Sequence, residues 1–201
     1  MNQSKRSFSF LVFPLLILFG ISAAVAQPDG AQLEPSYEIA LHVIIGSNEP
    51  GARADVPAGL ANVSKYLKSN FSFPHYRLAN TFLGRISNTG NVEYKSVSNI
   101  LGQETDAESQ TFLEWSMVNL RSAPNGFQAR SFRFGARVPV RTSTFKDGVG
   151  AGTSVVNYEA IGLTMSVIGL PANTPTLIGT ISLPKTTGTI FLVATIKPAA
   201  M

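Results

Sequence analysis

The sequence contains no cysteine in 201 residues and only two histidines, His42 and His75. The lack of cysteine excludes disulfides, thiolate metal sites and an amino-terminal lipid-modified cysteine. His42 lies in an alternating segment and His75 directly follows a proline, so each is predicted to have a structural or surface role. Without disulfides, the chain depends on its apolar core for stability.

The common catalytic and nucleotide-binding motifs are also missing. The sequence has no Gly-x-Ser-x-Gly, no His-Glu-x-x-His and no phosphate loop ending in Gly-Lys-Ser or Gly-Lys-Thr. Glu114 and Glu159 stand singly in predicted strands, which does not indicate the carboxylate pair of a glycosidase. We therefore predict that the protein is not an enzyme, and we assign it no catalytic, cofactor-binding or metal site.

Residues 1–26 have the composition of a signal peptide. Lys5 and Arg6 precede a long apolar run, and Ala24-Val25-Ala26 supplies the small residues that a signal peptidase requires. A retained membrane anchor is the alternative, but Pro14 interrupts the run and favours cleavage. We predict export, which leaves the periplasm, the outer membrane and the exterior open as destinations. Cleavage leaves 14 basic and 12 acidic residues, which gives no reason to expect nucleic acid as a partner.

The remaining chain is predicted to be α+β and mostly β, because glycine, threonine, serine and asparagine are frequent and helix formers are not. A flexible leader is predicted at residues 27–35 and a β-α-β-β unit at 36–100, with one main helix at about residues 56–71. An acidic connector at 101–110 then leads into antiparallel strands at 111–198, arranged as a sandwich or mixed sheet. A soluble sheet is favoured over insertion into the outer membrane.

The most regular stretch is residues 131–141, where apolar and polar residues alternate strictly, as in a strand with two unlike faces. One face carries Arg133, Arg137 and Arg141, which are spaced four residues, or roughly 13 Å, apart. Acidic residues on neighbouring strands could pair with these arginines on a solvated face, or the arginines could bind an anionic ligand. Pro139 lacks an amide donor, which predicts an edge or bulged strand where another chain could add.

The same stretch resembles part of a known family, the bacterial secretins, which form outer-membrane rings in type II and type III secretion. In their carboxy-terminal homology domain a Gly-x-x-Val-Pro strand precedes a polar loop and a Tyr-x-x-x-Gly strand. Here Gly135, Val138 and Pro139 match the first strand, and Tyr158 and Gly162 match the second. The resemblance covers about residues 134–167, and the pattern is also similar to that of short exported bacterial proteins. It implies structural roles for these five positions.

Together these features predict a non-enzymatic envelope protein that acts in assembly or scaffolding through protein contacts. Its partner would be another protein or further copies of itself. The alternative is a periplasmic binding module whose arginine face holds an anionic glycan, a lipid head group or an acidic partner. That alternative requires Arg133, Arg137 and Arg141 to line a groove and to lack acidic neighbours.

Overall fold

The computed structural model describes residues 35–48, 55–98, 110–143, 154–183 and 188–199, and only the backbone of residues 141–143 and 154. The predicted signal peptide, residues 27–34 of the leader and residues 101–109 of the connector lie outside the described residues. The described strands and helix are β1 (Ser36–Ser47), α1 (Ala61–Asn70), β2 (His75–Ser87), β3 (Asn91–Ser98), β4 (Thr111–Ala123), β5 (Gly126–Ser143), β6 (Ser154–Leu170), β7 (Thr176–Ser182) and β8 (Gly188–Pro198).

The strands form two antiparallel sheets of four strands each, which confirms the prediction of an α+β, mostly β protein. The first sheet has the order β2-β1-β8-β7 and the second has the order β3-β4-β5-β6. Alternate side chains of both sheets meet in one hydrophobic core, where Ile39 and Leu41 of the first sheet join Trp115, Phe132 and Phe134 of the second. The fold is therefore a β-sandwich.

The strand pairing does not follow the predicted division at residues 101–110. β3 pairs with β4 in the second sheet, and β8 pairs with β1 in the first, so residues 36–100 do not form a sheet of their own. β8 lies between β1 and β7 in the first sheet. Its residues 190–196 are buried on both faces, as a central strand requires. The turn at residues 88–90 carries the chain from one sheet to the other.

Helix α1 lies on the outer face of the first sheet. Its buried residues Val63 and Leu67 join Ile44, Phe191 and Val193 in a second apolar cluster. The helical segment begins later than predicted, with a 3-10 turn at Ala58–Leu60, because Pro57 is extended at φ −55° and ψ 150°. Among the described residues no helix is long and apolar enough to cross a membrane. Since α1 covers the first sheet, the second sheet has the barer outer face.

Three neighbouring strands of the second sheet share an irregularity at one level. Asn119 in β4, Arg130 in β5 and Val167 in β6 lie side by side, and none has a Cα partner in the ladders. Asn119 and Val167 both have a φ of 54°. Each of the three strands has one extra residue at this level, so the buried side chains change from odd-numbered to even-numbered positions or the reverse beyond it. Because all three strands have the extra residue, the register between them is the same on both sides. The Asn91 side chain accepts a hydrogen bond from the Asn119 amide at 2.8 Å.

Val167 is poorly suited to this position, since a β-branched residue is strained at positive φ. Its side chain is 63% exposed, so little packing is lost when it is replaced. We expect Val167→Asn to raise the free energy of unfolding by about 1 kcal/mol. Urea denaturation followed by circular dichroism measures the change. The control is Val97→Asn, at an exposed strand position with ordinary backbone angles, where a small loss is expected. Equal losses at both positions would contradict the assignment of strain.

His42 makes stability depend on pH. Its Nδ1 lies 3.0 Å from Thr81 Oγ1, and partial burial lowers the pKa of His42 below its ordinary value. On acidification the unfolded chain therefore takes up a proton at His42 before the folded chain does, which favours unfolding. We expect the wild-type protein to lose stability below about pH 6.5. His42→Gln should show a shallower decline in the same denaturation series at stepped pH, and parallel curves would contradict the prediction.

Candidate interaction face

The outer face of the second sheet carries the side chains that alternate with the buried core. On β4 these include Phe112 and Glu114, which flank buried Leu113. On β5 they include Arg133 and Arg137, which flank buried Phe134 and Ala136. The pleat of each strand directs one set of residues inward and the other outward. Both arginines therefore lie on the outer face that α1 leaves uncovered.

The register between the strands arranges these outer residues in rows across the sheet. A central row joins Lys95, Glu114, Gly135 and Gly162 of β3, β4, β5 and β6. The row on one side contains Val97, Phe112, Arg137 and Ala160, and the row on the other side contains Glu93, Ser116, Arg133 and Thr164. The two arginine rows thus flank a row that has glycine at two adjacent strands.

These rows enclose a trough of about 840 Å³. Gly135 and Gly162 form its floor, where the lack of side chains creates depth between the two arginines. Lys95, Arg133, Arg137 and Glu114 are its charged lining residues, and Glu93 of the adjacent row pairs with Lys95. The net charge of the lining is positive, which favours an anionic occupant.

The two floor glycines differ in how much room their surroundings leave for a side chain. A Cβ at Gly162 would lie 2.5 Å from the Phe134 carbonyl oxygen, which belongs to the backbone of the next strand. A Cβ at Gly135 would instead lie 3.1 Å from Glu114 Oε1, at the end of a side chain that can move. Glycine is therefore required at 162 by the packing of the backbone, whereas at 135 it only keeps the trough open.

The charged groups of the trough are unequally paired. Arg133 lies 3.6 Å from Glu114, and both side chains are at least half exposed. Lys95 lies 3.0 Å from Glu93, and this hydrogen bond raises the pKa of Lys95. The Arg137 side chain makes no ion pair or hydrogen bond with the described residues. Exposed ion pairs of this kind contribute little to stability. Because Lys95 and Arg133 each have a carboxylate partner and Arg137 has none among the described residues, Arg137 is the cation most available to a ligand.

Exposed apolar side chains border the same trough. Phe112 and Tyr158 are 43% and 46% exposed, and their rings meet edge to face at 5.6 Å. Val97 stands opposite Phe112 on β3 and is 52% exposed. The face therefore combines an unpaired arginine with uncovered aromatic and aliphatic surface. This composition is typical of the central part of protein interfaces.

The trough opens at one side onto an edge of the sheet. β6 pairs with β5 along its length, and no other described strand pairs with it. The pairing of β4 with β5 begins at Arg137, so Pro139 has only β6 beside it among the described strands. β5 lies between β4 and β6 and is not the edge strand that Pro139 predicted. Since Pro139 lies beyond the pairing with β4, its missing amide donor costs no hydrogen bond to that strand.

The structure places the sequence-predicted residues as follows. Arg133, Arg137, Gly135 and Gly162 line the trough, and Pro139 pairs with Tyr158 beside it. Val138 is a buried core residue. The side chain of Arg141 lies outside the described residues, as do residues 144–153, which correspond to the polar loop in the resemblance to secretins. Of the predicted arginines, Arg133 has an acidic neighbour, Glu114, and Arg137 has none among the described residues.

Sequence reasoning did not assign Lys95, Phe112 or Ala160 to this face. Phe112 and Glu114 alternate with Leu113 and Trp115, and that alternation is a signal that could have been used. No sequence signal shows which residues of four strands share a row, because the register depends on pairing between distant segments.

Comparison with known proteins gives no family assignment for this chain. No family model and no curated protein sequence matches it. Solved structures of a secretin, InvG of the Salmonella SPI-1 type III secretion injectisome, match with 10% identity. The match to its secretin-domain β-barrel covers 84% of this chain and 64% of that chain, with a TM-score of 0.30.

The open-gate InvG structure matches with a TM-score of 0.33 and covers 84% of this chain and 62% of that one. The chain therefore spans less than two thirds of each secretin chain. Structural overlap of this extent does not establish a shared fold or function.

Proposed function

We propose that this chain is a non-enzymatic exported protein that acts in assembly or scaffolding by binding an acidic segment of a protein partner. The outer face of the second sheet is the binding surface. The observation that carries the proposal is Arg137, which has no acidic partner among the described residues and lies in a trough beside exposed Phe112 and Tyr158. Arginine and aromatic residues are the types that contribute most to binding energy at protein interfaces.

The mixed character of the face favours a protein segment over other anionic ligands. A carboxylate of the partner would neutralise Arg137, while apolar side chains next to it would cover Phe112, Tyr158 and Val97. An exposed apolar patch with charge at its rim is characteristic of a protein contact site. The export that residues 1–26 predict would place this contact in the cell envelope.

An anionic glycan or lipid head group is the second candidate. The observation in its favour is the excess of cations at the trough, where Lys95, Arg133 and Arg137 outnumber the carboxylates of Glu93 and Glu114. Such ligands would be held mainly by charge, so their binding should weaken strongly with salt. They would leave the aromatic surface uncovered.

The test measures binding of a fluorescently labelled polyglutamate peptide to the purified mature protein by anisotropy. Arg137→Glu is expected to weaken binding by about tenfold, because it replaces the unpaired cation with a carboxylate that repels the acidic peptide. Arg130→Glu is the matched control, since Arg130 is an exposed arginine of the same strand that does not line the trough. It should bind the peptide nearly as well as the wild type.

The same series includes alginate and vesicles that contain anionic phospholipid. Binding of alginate or of the vesicles, without binding of the peptide, would show that the ligand is an anionic glycan or lipid head group and not an acidic protein segment. Equal effects of Arg137→Glu and Arg130→Glu on the peptide would contradict the proposed site, because general charge attraction would then account for binding.

A further inference from the structure

The open edge of β6 and the rows of the trough meet at the same residues. Along residues 158–166 the lateral edge of β6 that faces away from β5 has no strand partner among the described residues. Residues 158–166 also make no backbone hydrogen bond to a described residue other than those of the strand pairing. Unpaired amide and carbonyl groups along such an edge are a template for another strand.

The outward side chains of this edge are small. Ala160, Gly162 and Thr164 are exposed and line the trough. Each continues a row of the sheet, with Arg137 next to Ala160 and Arg133 next to Thr164. A strand added beside β6 would lie two strand spacings from β5, or roughly 10 Å. Long side chains of the added strand and of β5 can meet over that distance, because only small side chains stand between them.

We infer that the partner segment binds as an extended strand added to the edge of β6, so that the second sheet gains a fifth strand. This inference rests on the proposed function and specifies its binding mode. The rows also define the chemistry of the segment, because every second residue of an added strand points to the outer face. The residues opposite Ala160 and Thr164 are acidic, where they reach Arg137 and Arg133.

The residue between the two acidic positions is large and flat. It stands opposite Gly162, where the floor formed by Gly162 and Gly135 has no side chains to block an aromatic ring. Glu114 competes for Arg133 at 3.6 Å in the unbound protein, so the unpaired Arg137 is the stronger of the two acidic contacts. The segment therefore has the pattern acidic-x-aromatic-x-acidic in an extended conformation.

A second copy of the chain that pairs through its own β6 fits this edge less well. β6 contains one charged residue, Glu159, and so cannot present two carboxylates to the two arginine rows. Two copies paired through β6 would also bring their cationic troughs side by side. Charge complementarity therefore favours an acidic segment over a second β6 edge.

The test uses the purified mature protein and a short synthetic peptide with glutamate, tyrosine and glutamate at alternate positions and threonine between them. Two further peptides carry N-methyl groups on one or the other alternate set of backbone amides. Strand addition hydrogen-bonds only one set of amides to β6, because the other set points away. We expect one methylated peptide to bind at least about tenfold more weakly than the parent, and the other to bind about as well.

Several outcomes overturn the inference. Equal binding of the two methylated peptides would show that the segment does not pair with the edge. If Arg137→Glu still weakens the parent peptide in that case, the proposed acidic site stands and only the binding mode fails. If the peptide does not bind, or if a lysine-for-glutamate version binds equally well, the inferred segment is wrong. Concentration-dependent dimerisation in sedimentation velocity that the parent peptide competes away would identify a second copy as the occupant.

Discussion

Replacing Trp115 with alanine is expected to lower the free energy of unfolding by about 3–5 kcal/mol. Trp115 is 1% exposed and lies at the centre of the core between the sheets. Its ring stacks on Tyr94 at 5.3 Å with an interplanar angle of 7°, and it approaches Phe82 at 6.2 Å. Truncation removes these contacts and leaves a cavity that rigid strands on both sides cannot close.

Trp115→Phe separates the role of ring packing from that of the indole nitrogen. The buried Nε1 has no hydrogen-bond partner among the described residues. Phenylalanine retains most of the ring contacts and removes an unpaired donor, so the two effects oppose each other. We expect a net change within about 1 kcal/mol of the wild type.

Urea denaturation should be followed by circular dichroism, because both variants lose the single tryptophan as a fluorophore. A loss for Trp115→Phe as large as that for Trp115→Ala would contradict this account. It would mean that the indole nitrogen has a partner that stabilises the folded protein, and that the ring contacts contribute less than their burial indicates.

Gly162→Ala is expected to produce the second large effect, a loss of about 1–3 kcal/mol in the free energy of unfolding. The added methyl would lie 2.5 Å from the Phe134 carbonyl oxygen and 3.2 Å from Gly135 Cα. Both are backbone atoms of β5, so the clash is relieved only when the two strands separate. That separation would weaken the ladder between β5 and β6 around the trough.

Gly135→Ala is the matched control, since it adds the same methyl to the neighbouring position of the same row. The methyl would meet the Glu114 side chain at 3.1 Å, and that side chain can rotate away from Gly135. We expect a change of less than about 1 kcal/mol at this position. Equal losses for the two variants, measured by the same denaturation, would show that the trough floor tolerates no substitution at either strand.

The sequence predicted the class of fold because local patterns carry that information. Strict alternation over residues 131–141 directs Phe132 and Phe134 inward and Arg133 and Arg137 outward in the structure as well. The helix was also predictable, because Val63 and Leu67 share one side of a helical turn. Its first turn was placed too early, since proline at position 57 is compatible with a helix start but here is extended.

The pairing of strands across the two predicted units was not predictable from local patterns. The pairing of β8 with β1 joins segments separated by most of the chain, and the sequence of neither segment indicates which strand it pairs with. A largely apolar run such as that of β8 is typical of a strand buried on both faces, but it does not show that the strand lies between β1 and β7.

By itself, the sequence determined which residues alternate, that Arg133 and Arg137 share a strand face, and that disulfides are absent. Only the tertiary structure decided that Arg133 meets Glu114 while Arg137 has no such partner among the described residues. It also decided that Gly135 and Gly162 lie side by side and form the floor of a trough. The reason is physical: alternation is a property of one strand, whereas a binding face depends on the register between several strands.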